Sequence, residues 1–374
     1  YVRLPTGGSI MSQLKVNSIS DSAGANGNAI SLASDGTCTV KATNRSSPNL
    51  IINGDFQIAQ RATTNDTAGA SSTYHTLDRW MTQIQAGTIT ESQQTLTSSD
   101  TGPWEKGFRN YMRMLNNGPI GAGASQYAEI DQRIEARNIA QSGWDYTSTS
   151  SYITLSFWLR ASVAQSYVVA LYTNDGTARH YPFEAALSAN TWTKVTKVIP
   201  GNSGITVNND NGKGLTVCFI TAYGTNYTSN SGSFNVWNTT GGGTNRWPDM
   251  ATGWATTANA TFDVTGVQLE VGDFASDYFH EPYSETLRKC QRYYQKSYGD
   301  FSTSYSFKAS GYGRAAVNLY EIMRANPTVN PTLTGGGGSM GTVVDDAIGT
   351  FYLTTSSLNE DQASTFSWIA NAEL

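Results

Sequence analysis

Apolar and polar positions alternate in short runs along most of the chain, and turn residues close each run. Leu155, Phe157 and Leu159 alternate with Thr154, Ser156 and Trp158, the period-two pattern of a strand with one face turned inward. YVVALY at 167–172 and WTKVTKVI at 192–199 are further strands, bounded by Asn-Asp-Gly and Pro-Gly turn signals. LTVCFITAY at 215–223 is apolar on both faces, which predicts a central strand. Short strands at regular spacing with this punctuation predict an antiparallel β-sandwich over residues 48–283.

A different pattern occupies 262–297. Phe262 and Val264 alternate with Thr261, Asp263 and Thr265, and after Gly266 the apolar set moves to Val267, Leu269 and Val271. That one-residue slip predicts a β-bulge at Gly266. Glu281-Pro282 then breaks the extended run, Ser284 or Glu285 can cap, and Leu287, Cys290 and Tyr294 recur at helical spacing. A connecting helix over 284–298 follows, with Arg288, Lys289, Arg292 and Lys296 on its other faces.

The flanks differ from this centre. Residues 1–47 are thin in large apolar side chains and rich in Gly, Ser, Asn and Ala, so they read as an arm that orders only against something else. Met11-Ser12 is a natural start, which leaves the ten preceding residues as foreign sequence or the end of a longer arm. Residues 299–374 read as a smaller β domain, with Pro327 and Pro331 confining a strand to an edge or a bend and Gly335 to Gly338 forming a loop. A domain of about 75 residues has a marginal core, so burial against the larger domain or sister chains is expected.

Composition narrows the function classes. The chain has 374 residues, 14% of them charged, with 36 glycines and a net charge of −5. No basic field attracts phosphate, which argues against nucleic acid as the main ligand. No apolar run approaches the roughly 20 residues of a spanning helix, which argues against membrane insertion. Cys38, Cys218 and Cys290 are odd in number and far apart, so free thiols are expected in place of a disulfide framework.

Several segments carry a resemblance. VQLEVG followed by an acidic-aromatic spacer and RKCQRYYQKS is similar to the hallmark segment of bacteriophage virion fibre proteins of the marine and cyanobacterial phage type. NLIINGDFQIAQR with YHTLDRW, QRIEARNIA with YITLSFWLRA, and MRANPTV extend the likeness over most of 49–330. It implies a protein made in the host cytoplasm and carried on the virion as a homotrimer. Residues 1–47 would dock to other virion proteins, and Leu287, Cys290 and Tyr294 would face either the sandwich or a threefold axis. NGDF and FDVTGVQLE also resemble the first and last strands of jelly-roll carbohydrate-binding modules. In those modules a Glu follows the Phe and helps hold a structural calcium, whereas Gln57 stands here. Asp55 and Asp263 remain as possible oxygen ligands, with local hydrogen bonding the preferred reading and no cofactor expected.

The candidate chemistry is aromatic. Trp and Tyr rings cover the flat C–H faces of sugars while amides and carboxylates read the hydroxyls. Tyr223, Tyr227, Trp237, Trp247 and Trp254 lie in one loop-rich segment, and Asn245 and Asp249 flank Trp247, which makes them the candidate contacts to a host-surface polysaccharide. A tail fibre is the first reading, a head fibre or capsid decoration the alternative, and a glycan-degrading tailspike the third. Enzymatic signals are weak. Gly337-Gly338-Ser339-Met340-Gly341 has no histidine after it to serve as a partner, and His75 with Asp78 forms no metal cluster. Glu129 and Asp131 stand about 7 Å apart on one strand face, but Arg133 and Glu135 continue that face. The row reads as a solvated charge ladder, without the burial that raises a carboxyl pKa. The chain is therefore expected not to be an enzyme, and a buried carboxyl pair lining a cleft would contradict that expectation.

Overall fold

The structure is a computed structural model. It describes residues 49–228, 232–239, 246–297, 316–332, 349–354 and 367–374 in full, and further short strands as backbone. The chain divides into two compact units, Tyr1–Ser46 and Ser47–Leu374. In the first, β1 (Ser18–Ser20), β2 (Asn28–Leu32) and β3 (Cys38–Val40) pair antiparallel in that order. The side chain of Cys38 lies outside the described residues.

The second unit is an antiparallel β-sandwich of jelly-roll type, as the alternation predicts. One sheet has six strands in the order β13 (Thr193–Pro200), β10 (Tyr152–Ala161), β16 (Ala260–Val271), β8 (Asn110–Gly118), β7 (Thr88–Thr95) and β4 (Thr64–Ala68). The other has seven: β15 (Asn238–Thr239), β12 (Arg179–Leu187), β11 (Gln165–Thr173), β14 (Lys213–Tyr223), β9 (Tyr127–Glu135), β6 (Met81–Ile84) and β5 (Ser71–Thr73). The chain passes repeatedly between the sheets, and their inward residues interdigitate. Leu155, Phe157 and Leu159 of β10 are fully buried. Phe157 meets Phe219 edge to face at 5.0 Å, and Trp80 stacks obliquely on Phe56 at 4.9 Å. β14 is the middle strand of its sheet.

The bulge falls where the hydrophobic phase slips. Ser156 pairs with Gln268 and Trp158 with Thr265, so Gly266 and Val267 together face one residue. Gly266 has φ +63°, and a Cβ there would lie 2.6 Å from the Phe108 ring. Only glycine meets both demands cheaply. The 49–60 segment runs beside this strand. Leu50 donates to the Leu269 carbonyl at 2.9 Å, and Val267 donates to that of Gly54 at 2.9 Å. Asn49 Oδ1 accepts from the Leu269 amide.

The connecting helix is shorter than predicted. It spans Tyr283–Gln291 and starts from Pro282, not Ser284 or Glu285. Tyr294 belongs instead to β17 (Tyr294–Lys296), which pairs with β23 (Ala363–Asn371). The aromatic run RYYQKS favours an extended backbone once a partner strand is at hand. Cys290 is 0% and Tyr294 5% exposed, and Arg61 stacks on the Tyr294 ring at 3.7 Å. Both residues are thus buried within the chain itself, while Leu287 is half-buried.

The C-terminal segment is not a separate body. β20 (Thr328–Gly335), which contains Pro331, pairs only with β23 among the described strands, and β19 (Tyr312–Asn318), β22 (Thr350–Ser356) and β21 (Ser339–Val343) form a second small sheet. Its apolar cluster, around Met323, Phe351, Leu353 and Trp368, is distinct. It is tied into the sandwich unit by polar bonds, including Arg324 to the Asn211 carbonyl at 2.9 Å and Arg79 to Glu373. Ser339 sits in β21 and not on a strand-to-helix elbow. Gly336 to Gly338 lie outside the described residues.

Candidate functional site

Register across the seven-stranded sheet defines the site. Gln83, Glu129, Ile220 and Val168 stand opposite one another in one row, and Met81, Asp131, Cys218 and Ala170 in the next. Arg133, Thr216, Tyr172 and His180 form a third. Residues directly opposite across antiparallel strands share a face, and these rows lie on the face away from the sandwich core. The apolar half of that face carries Val168, Ala170, Cys218 and Ile220, on which Tyr223 and Trp247 pack. The segment after β14 therefore folds back over its own sheet.

Where that cover meets the charged half, a cavity of about 270 Å³ remains. It is lined by Glu129, Asp131, Arg133, Lys213, Arg246 and Trp247, with Tyr172 and Gln83 at its walls. Glu129 and Asp131 are 4% and 1% exposed. Gln83 Nε2 donates to both, at 2.8 Å to Glu129 Oε1. Burial pushes both carboxyls up, Glu129 to about 7 with the charge of Asp131 adding to the rise, and Asp131 to about 6 against the opposing pull of Arg133. Burial and the neighbouring carboxylate both favour the protonated form in such a pair.

Unfilled hydrogen-bonding capacity gathers here. Trp247 Nε1, Glu129 Oε2 and Asp131 Oδ1 are buried without a well-formed hydrogen bond among the described residues; the Tyr223 hydroxyl lies within bonding reach of Glu129, and Arg133 Nε stands 3.6 Å from Asp131 Oδ1. Cavities of about 260, 320 and 510 Å³ elsewhere on the unit are lined by none of the residues with such orphaned atoms. Buried polar atoms are normally paired, so this concentration marks the site. His180 adjoins it, its ring 5.0 Å from Trp247. Burial, with the charge of Arg246 adding, lowers its pKa to about 4 and keeps it neutral.

This geometry corrects the reading of Glu129 and Asp131 as a solvated ladder. They lie on a strand flanked by β14 and β6, beneath a folded-back loop, so period-two alternation does not lead to solvent. The signal was present in β14: a strand apolar on both faces is covered on both, and its neighbour shares the cover.

The predicted aromatic contacts separate. Trp247 is 1% exposed and Tyr223 5%. Trp247 lines the cavity, and Tyr223 packs beneath it in the same cluster. Tyr227 is half-buried and meets Tyr127 and Tyr223 edge to face. Trp237 lies elsewhere, edge to face on Tyr181 with Nε1 donating to the Pro200 carbonyl at 2.7 Å. Trp254 is fully buried in the main core and is corrected to a packing residue. Asp249 is exposed, and Asn245 lies outside the described residues. Tyr172, Gln83, Arg133, Lys213 and Arg246 are the lining residues that sequence reasoning did not select.

The calcium pair does not hold together. Asp263 receives Arg113 at 2.7 and 2.8 Å and Arg160 at 2.8 Å, which satisfies its carboxylate with two guanidinium groups and leaves no oxygen for a hard cation. Asp55 accepts from Gln57 at 3.1 Å. Among the described residues no group of three His, Cys, Asp or Glu side chains is placed for a metal. Asp78 pairs with Arg61 at 3.6 Å, and His75 bonds Thr67 at 3.1 Å. Cys218 and Cys290 are free and buried. No helix among the described residues is long and apolar enough to cross a membrane.

No protein-family model matches the chain, and no curated protein matches it. Among solved structures it is similar to a cyclase from Fischerella sp. TAU, at 12% identity over 61% of this chain and 98% of that one, with a TM-score of 0.33. It is also similar to the family 11 carbohydrate-binding module from Clostridium thermocellum in complex with a mixed-linked tetrasaccharide. There the identity is 11% over 55% of this chain and 96% of that one, with a TM-score of 0.26. Scores this low leave fold and function to rest on the residues of this chain.

Proposed function

We propose that the chain is a glycan-binding appendage of a phage virion, most simply a tail fibre, and that the cavity over Glu129 and Asp131 is where a sugar sits. The virion part rests on the sequence resemblance given above, as does assembly as a trimer. The glycan part rests on one observation: aromatic walls from Tyr172 and Trp247 enclose orphaned carboxylate and indole polar atoms in a space the size of one or two sugar rings. Stacking supplies affinity, and the unfilled donors and acceptors supply orientation.

A second reading has a specific observation behind it. Glu129 and Asp131 form the buried carboxyl pair in a cleft that glycoside hydrolysis requires. Against it, both groups stand on one strand and are bridged by the Gln83 amide, so a side chain occupies the place between them where a hydrolytic pair flanks the scissile bond. Binding is therefore the preferred reading.

Isolated protein titrated with envelope polysaccharide fragments tests both. Saturable binding that falls at least tenfold in Trp247→Ala and in Tyr172→Ala is expected, without release of reducing ends. Reducing ends that appear with wild type and vanish with Glu129→Gln would make it a hydrolase. Binding untouched by both aromatic substitutions would move the site elsewhere.

A further inference from the structure

We propose that this cavity selects an acidic sugar, with Arg246 and Lys213 receiving the sugar's carboxylate. The proposal rests on the glycan-binding reading and adds the substrate class to it.

The argument is one of unbalanced charge. Three cationic side chains, Arg133, Lys213 and Arg246, and two carboxylates line the same cavity. Arg133 is committed, with Nη1 donating to the Leu374 carbonyl at 2.6 Å and Nε 3.6 Å from Asp131. Neither Lys213 nor Arg246 forms an ion pair among the described residues. Arg179, likewise half-buried, has no ion pair among the described residues either and donates to Thr239, whereas three other guanidinium groups of the sandwich are paired. Arg79 pairs with Glu373, while Arg113 and Arg160 share Asp263. Arg246 instead lies with its guanidinium 5.1 Å from the Tyr172 ring centroid, facing the wall on which a sugar would stack.

The carboxylates do not cancel these cations. Burial disfavours the charged form of both Glu129 and Asp131, so they offset less positive charge than two exposed carboxylates would. Lys213, at the exposed start of β14, has its pKa lowered by burial of its side chain and by the neighbouring Arg133, against the opposing charge of Asp131. An excess of positive charge in a chain whose net charge is −5 is local to this cavity. A guanidinium and an ammonium without partners bind a carboxylate by charge-assisted hydrogen bonds. The carboxyl pair meanwhile accepts from, and when protonated donates to, sugar hydroxyls.

The experiment compares a uronic-acid-containing oligosaccharide with the same oligosaccharide after its carboxyls are reduced to primary alcohols. Calorimetric titration of the full chain is expected to give at least tenfold tighter binding of the acidic form, with the advantage shrinking as salt rises. Arg246→Gln and, separately, Lys213→Gln are expected to cost the acidic form at least five times more than the reduced form. Equal affinity for the two forms would overturn the acidic preference and leave glycan binding intact. Binding of neither form would contradict both readings.

Discussion

Strand β9 carries buried acidic side chains at its end and nearer its middle, and they have opposite fates. At its end, Glu135 receives Arg292 at 2.7 and 2.9 Å and the Tyr293 hydroxyl at 2.6 Å. Burial alone would raise its pKa, but these partners outweigh it and hold the carboxyl below its ordinary range. Four and six residues earlier, burial outweighs the cations, Arg133 at 3.6 Å from Asp131 and the charge of Arg246 acting on Glu129, and both carboxyls are raised. One strand and one cause of desolvation thus give a tightly paired carboxylate at its end and a weakly paired site nearer its middle. A buried carboxylate is stabilising only when its partners are built in. Where they are missing, the fold carries a cost that a ligand can offset.

Removing the partner of Glu135 should break this contrast most. Arg292→Ala leaves Glu135 buried and unpaired and is expected to cost about 2 to 4 kcal/mol, below the fully buried range because the arginine is partly exposed. Urea denaturation at pH 7 measures it, and a loss under about 0.5 kcal/mol would show that the pair is not structural.

The opposite sign is expected at the other end. The folded-state pKa of Glu129 stands above its ordinary 4.5, so the folded protein binds that proton more tightly than the unfolded chain does. The stabilising contribution is complete below 4.5 and is lost as pH rises through about 7. Glu129→Gln should therefore raise stability at pH 8 by about 1 to 2 kcal/mol while changing little at pH 5. Denaturation curves at the two pH values check this, and destabilisation at pH 8 would mean that Glu129 has a cation partner after all. For Glu135, whose pKa is lowered, the contribution is present above 4.5 and fades as pH falls below it.

The smallest effect supplies the reference. Arg288 and Glu285 form an exposed pair at 3.3 Å on the helix, and Arg288→Ala is expected to stay within about 0.5 kcal/mol of wild type. A larger loss, read from the same curves, would mean that the scale assigned to Arg292 is not specific to burial.

Much of the fold was legible because period-two alternation and turn residues act locally. The sandwich, the central place of β14 and the bulge at Gly266 follow from residues within a few positions of one another. The charged site was not legible in that way. Whether Glu129 faces water depends on a loop nearly 120 residues later that brings Trp247 over the sheet, and alternation is silent about such a third layer. The helix end failed for a similar reason, since Tyr294 extends to meet β23 and that strand lies at the far end of the chain. Trp247 was singled out for its polar neighbours in sequence, whereas its place in the cavity comes from the sheet beneath it. Trp254 had the same credentials and is core.

Carboxyl-selective carbon NMR of Glu129, Asp131 and Glu135 in one sample tests the central claim most directly. Glu129 and Asp131 should titrate well above Glu135, and added acidic oligosaccharide should shift the first two resonances while leaving the third in place. Three carboxyls titrating alike, or a bound oligosaccharide that disturbs Glu135 and not the pair, would contradict a ligand site on the outer face of this sheet.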